Sequence, residues 1–102
     1  MSMIAELSII PLGRGASISP EIAKVIKIID QSGISYKVHS MGTALEGDWD
    51  RVMDLIKSCH QEALKDSERV YTIITIDDRK GKTDRIHGKV ASLEAKVGKK
   101  LP

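Results

Sequence analysis

Residues 36–49, Tyr-Lys-Val-His-Ser-Met-Gly-Thr-Ala-Leu-Glu-Gly-Asp-Trp, constrain the fold of this chain more than any other stretch. Tyr36 to Ser40 reads as a strand, Met41-Gly42 as a turn, and Thr43 to Glu46 as a returning strand. Gly47-Asp48 ends the hairpin, and Asp48 is suited to cap a helix beginning at Trp49. One strand–helix pair precedes the hairpin and one helix–strand pair follows it. The hairpin is therefore the hinge of a two-fold repeat of element types.

Residues 3–11 alternate in the period of a pleated strand, with Ala5, Leu7 and Ile9 in one set and Ile4, Glu6, Ser8 and Ile10 in the other. Pro11 and Gly13-Arg14-Gly15 end it in a loop. Ser19-Pro20-Glu21 predicts a helix start, with Ser19 as N-cap and proline at the first helical position. Ile22, Val25, Ile26 and Ile29 form its stripe, and Ser32-Gly33 closes it. After the hairpin, Val52, Leu55, Ile56, Cys59 and Ala63 mark a second helical stripe. Arg69 to Asp77 is a β-branched strand with apolar residues on both parities. A turn at Asp77–Gly81 leads to a third helix carrying Ile86, Val90, Leu93 and Val97.

The order is β-α-β-β-α-β plus a C-terminal helix, the signature of an α+β, ferredoxin-like sandwich with two helices on one face of an antiparallel sheet. At 102 residues the chain is expected to be a single domain, 1–102, with its core in 3–83 and the extra helix in 84–97. The two-sided pattern of the first and fourth strands predicts that a second copy covers the open sheet face. The alternative is that the third helix folds back over it.

Several function classes fit poorly. A net charge of +2 is too small to imply nucleic acid or an acidic membrane. Phenylalanine is absent and the first strand has no aromatic, so the base-stacking platform that RNA-recognition modules build on this topology is missing. No run of about 18 apolar residues is long enough to span a bilayer. The N-terminal residues lack the basic-then-apolar order of a signal peptide, and a single cysteine excludes an internal disulfide. The cytoplasm is the expected compartment.

The polar candidates gather around the hairpin. Thr43, Glu46 and Trp49 fall within seven residues. Glu46 is able to accept from a ligand amine or, protonated, to donate to a ring nitrogen; the plainer reading is a solvent-facing strand acid. Trp49 offers either a flat wall for a ligand or packing over a helix end. The Gly13–Ser19 loop is a weak phosphate site, without the lysine of a phosphate-binding loop. It is expected to set Ser17 beside the hairpin, both strand-to-helix transitions being placed at one end of the sheet. Gly42 and Gly47 would let a ligand approach the backbone. Asp77-Asp78 reads as a turn, with no third metal ligand at suitable spacing. Cys59 falls on a buried stripe while His60 is expected to face water, so the two make a poor catalytic pair. With no nucleophile–base constellation, the chain is not expected to be an enzyme.

Ser19-Pro20, Ser32-Gly33-Ile34, the run Met41-Gly42-Thr43-Ala44-Leu45-Glu46-Gly47-Asp48-Trp49-Asp50, and Ile76-Asp77-Asp78-Arg79 together resemble the small thiamine-binding protein family related to YkoF. The resemblance covers roughly residues 3–97. It implies a ferredoxin-like fold assembled as a homo-oligomer, a dimer or commonly a tetramer, with no catalytic activity and no cofactor. The implied ligand is thiamine or its hydroxymethylpyrimidine part. On that reading Glu46, Thr43 and Ser17 would meet the aminopyrimidine edge. Met41 and Trp49 would wall it, Gly42 would admit it, and Glu6 would face the site or balance the thiazolium charge. Two functions follow: a carrier, reservoir or sensor for such a ligand, or an oligomeric interaction or regulatory protein without one.

Overall fold

Odd-numbered residues 3–11 are apolar throughout, and they form the inner face of strand β1 (Met3–Pro11), where Met3, Ala5, Leu7 and Ile9 are buried. The computed structural model describes residues 2–102. Helix α1 (Ser19–Gln31) follows, with Val25 and Ile29 buried. Its N-cap is Ile18, not Ser19: the Ile22 N–H donates to the Ile18 carbonyl at 2.9 Å, so the first turn begins one residue earlier than Pro20 alone suggests. At the other end the Ser32 hydroxyl donates to the Ile29 carbonyl at 2.6 Å, and Gly33 takes a φ of +78° that side chains disfavour.

Strands β2 (Ser35–His39) and β3 (Gly42–Gly47) form the hairpin, helix α2 (Trp49–Lys65) follows, and β4 (Val70–Asp77) completes the repeat before α3 (Arg85–Val97). The sheet order is β2-β3-β1-β4 with every neighbouring pair antiparallel. This is the ferredoxin-like fold with an additional C-terminal helix. The five apolar residues of the α2 stripe, Val52, Leu55, Ile56, Cys59 and Ala63, are all buried against the sheet and α1. Burying such side chains contributes about 1.5–3 kcal/mol each for the larger ones, which fixes both helices on the odd-numbered face of β1.

Two consequences of the register position everything else. Met3 lies opposite Gly47 and Leu7 opposite Thr43, so Ile9, Ile10 and Pro11 run past the hairpin and pair only with β4. Because β1 and β3 are antiparallel, their exits into α1 and α2 lie at opposite ends of the sheet. The expectation of a common end is overturned.

The third helix occupies the other sheet face, meeting β1 and β3. The fold-back alternative therefore holds in part. Tyr71, Ile73 and Ile10 on that face remain exposed, as do Val90, Leu93 and Val97 on α3. His60, expected to face water, is instead partly buried with a ring nitrogen 2.5 Å from the Thr72 hydroxyl. Thr72 pairs with Ile9, so both project to the helix side of the sheet, where α2 meets β4.

Candidate functional site

Where β1 outruns the hairpin, the sheet lacks a neighbouring strand on that side, and the start of α1 lies over the gap. The result is a groove of about 820 Å³ between the hairpin tip, the far half of β1 and the first three turns of α1. Ile18, Ile22 and Ile26 line it from α1, Leu7 and Ile9 from β1, and Val38 from β2. Its size and mostly apolar wall with a few polar groups are those of a small-molecule site.

Thr43 is the polar group set deepest in that wall. Its cross-strand neighbours Leu7 and Val38 place it on the helix side of the sheet, and it is only 6% exposed. Among the described residues its hydroxyl has no hydrogen-bond partner. The residue is buried, but its oxygen is not among the fully buried atoms left without a partner, so it opens onto the groove and is free to bond to an occupant. Ser19, displaced from its capping role, lines the same groove at the head of α1, and His39 and Ser40 line it at the hairpin.

The hairpin tip is held close to β1. The Ser8 hydroxyl donates to the Met41 carbonyl at 3.0 Å, and the Met41 N–H donates to His39 Nδ1 at 3.3 Å. A Cβ on Gly42 would sit 2.8 Å from the Leu7 carbonyl oxygen and 2.9 Å from the Ser8 hydroxyl, so glycine there permits the approach of two backbones. Arg14 steadies the adjoining loop, donating to Glu21 at 3.0 Å and to the Asp66 carbonyl at 2.8 Å.

Of the residues read from sequence, Thr43, Met41 and Gly42 meet in this groove, with Met41 80% exposed at its mouth. Ser17 precedes the lining residues Ile18 and Ser19 without lining the groove itself. Glu6 lies on the opposite sheet face, half exposed, with its carboxylate 3.8 Å from His39 Nε2. Glu46 and Trp49 stand at the other end of β3. Three residues of strand separate Glu46 from Thr43, about 10 Å, and their parity puts them on opposite faces. Trp49 is 51% exposed at the start of α2. The carboxylate of Glu46, 7% exposed, accepts from the backbone N–H groups of Arg85 and Ile86 at 2.7 and 3.1 Å and from the Ser2 hydroxyl at 3.2 Å. It stands at the head of α3. Sequence reasoning missed Ile18, Ser19, Ile22 and Ser8, reading Ile18 as loop, Ser19 as helix cap, Ile22 as core stripe and Ser8 as strand.

Cys59, fully buried, has its thiol pushed up to about 11 by desolvation, which keeps the nucleophilic thiolate scarce at neutral pH.

A ferredoxin-like sandwich with an apolar groove at one sheet end defines a small-ligand-binding class. The chain belongs to the thiamine-binding protein family, whose sequence model matches residues 5–94. It is similar to a UPF0045 protein of Methanocaldococcus jannaschii, MJ1052, at 38% identity over 91 residues, 89% of this chain and 91% of the relative. A UPF0045 protein of Methanothermobacter thermautotrophicus is 36% identical over 96 residues, 91% of this chain and 97% of the relative. The crystal structure of MJ1052 superposes with a TM-score of 0.85, covering 90% of this chain and 95% of that one. A Thermotoga maritima structure, named provisionally for thiamine biosynthesis or salvage, superposes with a TM-score of 0.81 over 91% of this chain and 99% of that one. At 22% identity it bears on the fold alone.

Proposed function

We propose that this chain is a non-catalytic binding protein for thiamine or its hydroxymethylpyrimidine part, serving as carrier, reservoir or sensor. The observation that carries the reading is the Thr43 hydroxyl, on a residue only 6% exposed and without a partner among the described residues, opening into the wall of the groove under α1. A flat aminopyrimidine presents donors and acceptors along one edge and apolar faces above and below. Thr43 and Ser19 would serve the edge, and Ile22, Ile26 and Val38 the faces. Glu6, on the opposite sheet face with its carboxylate 3.8 Å from His39 Nε2, would act on a thiazolium charge only at long range. Membership of the thiamine-binding family supports the same ligand class.

The same reading makes the protein a cytoplasmic homo-oligomer, a dimer or tetramer. Tyr71 and Ile73 support this, since about half of each remains exposed on a sheet face that α3 covers only in part. Among the described residues no helix is long and apolar enough to cross a membrane. That exposed face also favours the second reading, an interaction or regulatory protein whose oligomer is the functional product.

Calorimetric titration with thiamine, its phosphates and hydroxymethylpyrimidine tests the choice. Saturable binding weakened about tenfold in Thr43→Val, the worth of one good hydrogen bond, supports the groove. Absence of heat from a folded oligomer favours the interaction protein.

A further inference from the structure

Positive charge gathers at the sheet end remote from the groove. There Ile4 of β1 pairs with Asp77, the last residue of β4, and Arg85 begins α3. A cavity of about 110 Å³ is lined by Ser2, Asp77, Arg79, Arg85 and Lys89: three cations, one carboxylate and one hydroxyl. Lys89 donates a hydrogen bond to Asp77. The guanidinium groups of Arg79 and Arg85 have no ion pair or hydrogen-bond partner among the described residues. Glu46 is near, but its carboxylate is engaged by Ser2 and by the N–H groups of Arg85 and Ile86. Counting it, the cluster still carries one positive charge in excess.

Two guanidiniums without partners facing one small cavity form an arrangement that a tetrahedral oxyanion completes. Each planar fork is able to donate two parallel bonds to a phosphoryl group, and Lys89 adds a point charge. The cavity, about 110 Å³, has room for a phosphoryl group, and its lining of three cations offers no apolar wall for a ring. A solvated charge run would scatter its side chains. Here residues from the β4–α3 turn, α3 and the N-terminal segment converge on one space. The Asp77 carboxyl is held below the ordinary carboxylate range, first by the Lys89 hydrogen bond, then by the charges of Lys89, Arg85 and Arg79.

We propose that Arg79, Arg85 and Lys89 form a phosphoryl-binding site separate from the groove, with Ser2 lining it while its hydroxyl stays on Glu46. Five residues of β1 separate Ile4 from Ile9 of the groove, roughly 16 Å, so within one chain the two sites take separate ligands. The source of the phosphoryl group is either free phosphate or a small phosphate monoester.

The test is calorimetric titration at low ionic strength with inorganic phosphate and with phenyl phosphate. The proteins are the unaltered chain, the double variant R79Q/R85Q and D77N, each checked for an unchanged melting profile. Saturable binding of one phosphoryl group per chain is expected, weakening with added salt. The double variant should bind at least tenfold more weakly. D77N should bind more tightly, because a repelling charge leaves and Lys89 is released. Binding of both probes assigns recognition to the phosphoryl group alone, and binding of phenyl phosphate only assigns it to monoesters. The site is overturned if neither probe binds the folded chain, if R79Q/R85Q binds as well as the unaltered protein, or if D77N binds more weakly.

Discussion

The Glu46 carboxylate accepts the Arg85 N–H at 2.7 Å, joining the end of β3 to the start of α3 across 39 positions of sequence. A helix N-terminus carries unpaired N–H groups and a partial positive charge, and a carboxylate placed against it answers both. Asp84, in the N-cap position, has a left-handed backbone (φ 53°) and makes no side-chain capping bond, so the function of the cap falls to a residue from another element. Glu46→Ala should destabilise the docking of α3 by about 1–2 kcal/mol. Hydrogen exchange should then quicken at the amides of residues 85–90 before it does in the central strands. Affinity for a ligand in the groove should stay unchanged, because the groove lies at the hairpin-tip end of the sheet and Glu46 is not among its lining residues. A uniform rise in exchange would contradict this.

Thr43→Val separates stability from binding. Valine matches threonine in shape and removes a hydroxyl that has no partner among the described residues. The variant should be as stable as the parent or more stable by up to about 1 kcal/mol, while ligand affinity falls. Chemical denaturation and titration on the same preparation check both signs. A loss of stability would mean that the hydroxyl is bonded within the folded protein.

Element identity was legible because period and length agree. The α2 stripe Val52, Leu55, Ile56, Cys59 and Ala63 was read residue for residue. The residues around the site were harder to read. Ile22 and Ile26 look the same on paper whether they face a core or a groove, since apolar spacing reports a face and not what covers it. Ser19 fits the pattern of a cap, yet the helix starts on Ile18. Glu46 and Thr43 are near in sequence, but strand alternation sends them to opposite faces. Nothing local to Glu46 reveals that a helix 39 residues later would begin on its carboxylate.

Gly42→Ala tests the closeness of the hairpin to β1. The added Cβ would fall 2.8 Å from the Leu7 carbonyl oxygen, which is backbone and cannot swing aside. Moving the strands apart loosens the ladder from Leu7–Thr43 outward, at an expected cost of about 1–3 kcal/mol. The groove borders the same tip, so binding should weaken together with stability, unlike in Thr43→Val. A variant of unchanged melting temperature would show that the tip yields freely.

Oligomer formation through the open face predicts a specific response. Ile73 lies on that face opposite Ser8 and is more than half exposed in a single chain. A second copy seated there would bury it, so Ile73→Lys should lower the assembled mass seen by light scattering. The fold of the single chain should survive, because Ile73 is not part of its core cluster. An unaltered mass would place any association elsewhere.

The pH dependence of stability follows from a surface cluster that ties α1 to the end of α2. Lys24 donates to Asp66 at 2.8 Å, and Arg14 to Glu21 at 3.0 Å. Those bonds, first among the causes, hold the Asp66 and Glu21 carboxyls below their ordinary range, and the bond to Asp66 raises the Lys24 ammonium above its own. For the two acids the folded value is the lower one. Their contribution is therefore present above the unfolded carboxylate range, near pH 4, and is lost as pH falls through the depressed values. For Lys24 the folded value is the higher one, so its contribution is present below about pH 10 and is lost as pH rises through the raised value. Stability from this cluster should be flat between those limits and decline on both sides. Lys24 and Asp66 are exposed, so their share should be small and should shrink in salt, whereas the Glu21 side chain is largely covered and its share should be screened less. Asp66→Asn should flatten part of the acid limb and the alkaline limb together, since it removes the partner responsible for both shifts. Urea midpoints measured across the pH range at low and high salt decide it. An alkaline limb unchanged in Asp66→Asn would assign that limb to another group.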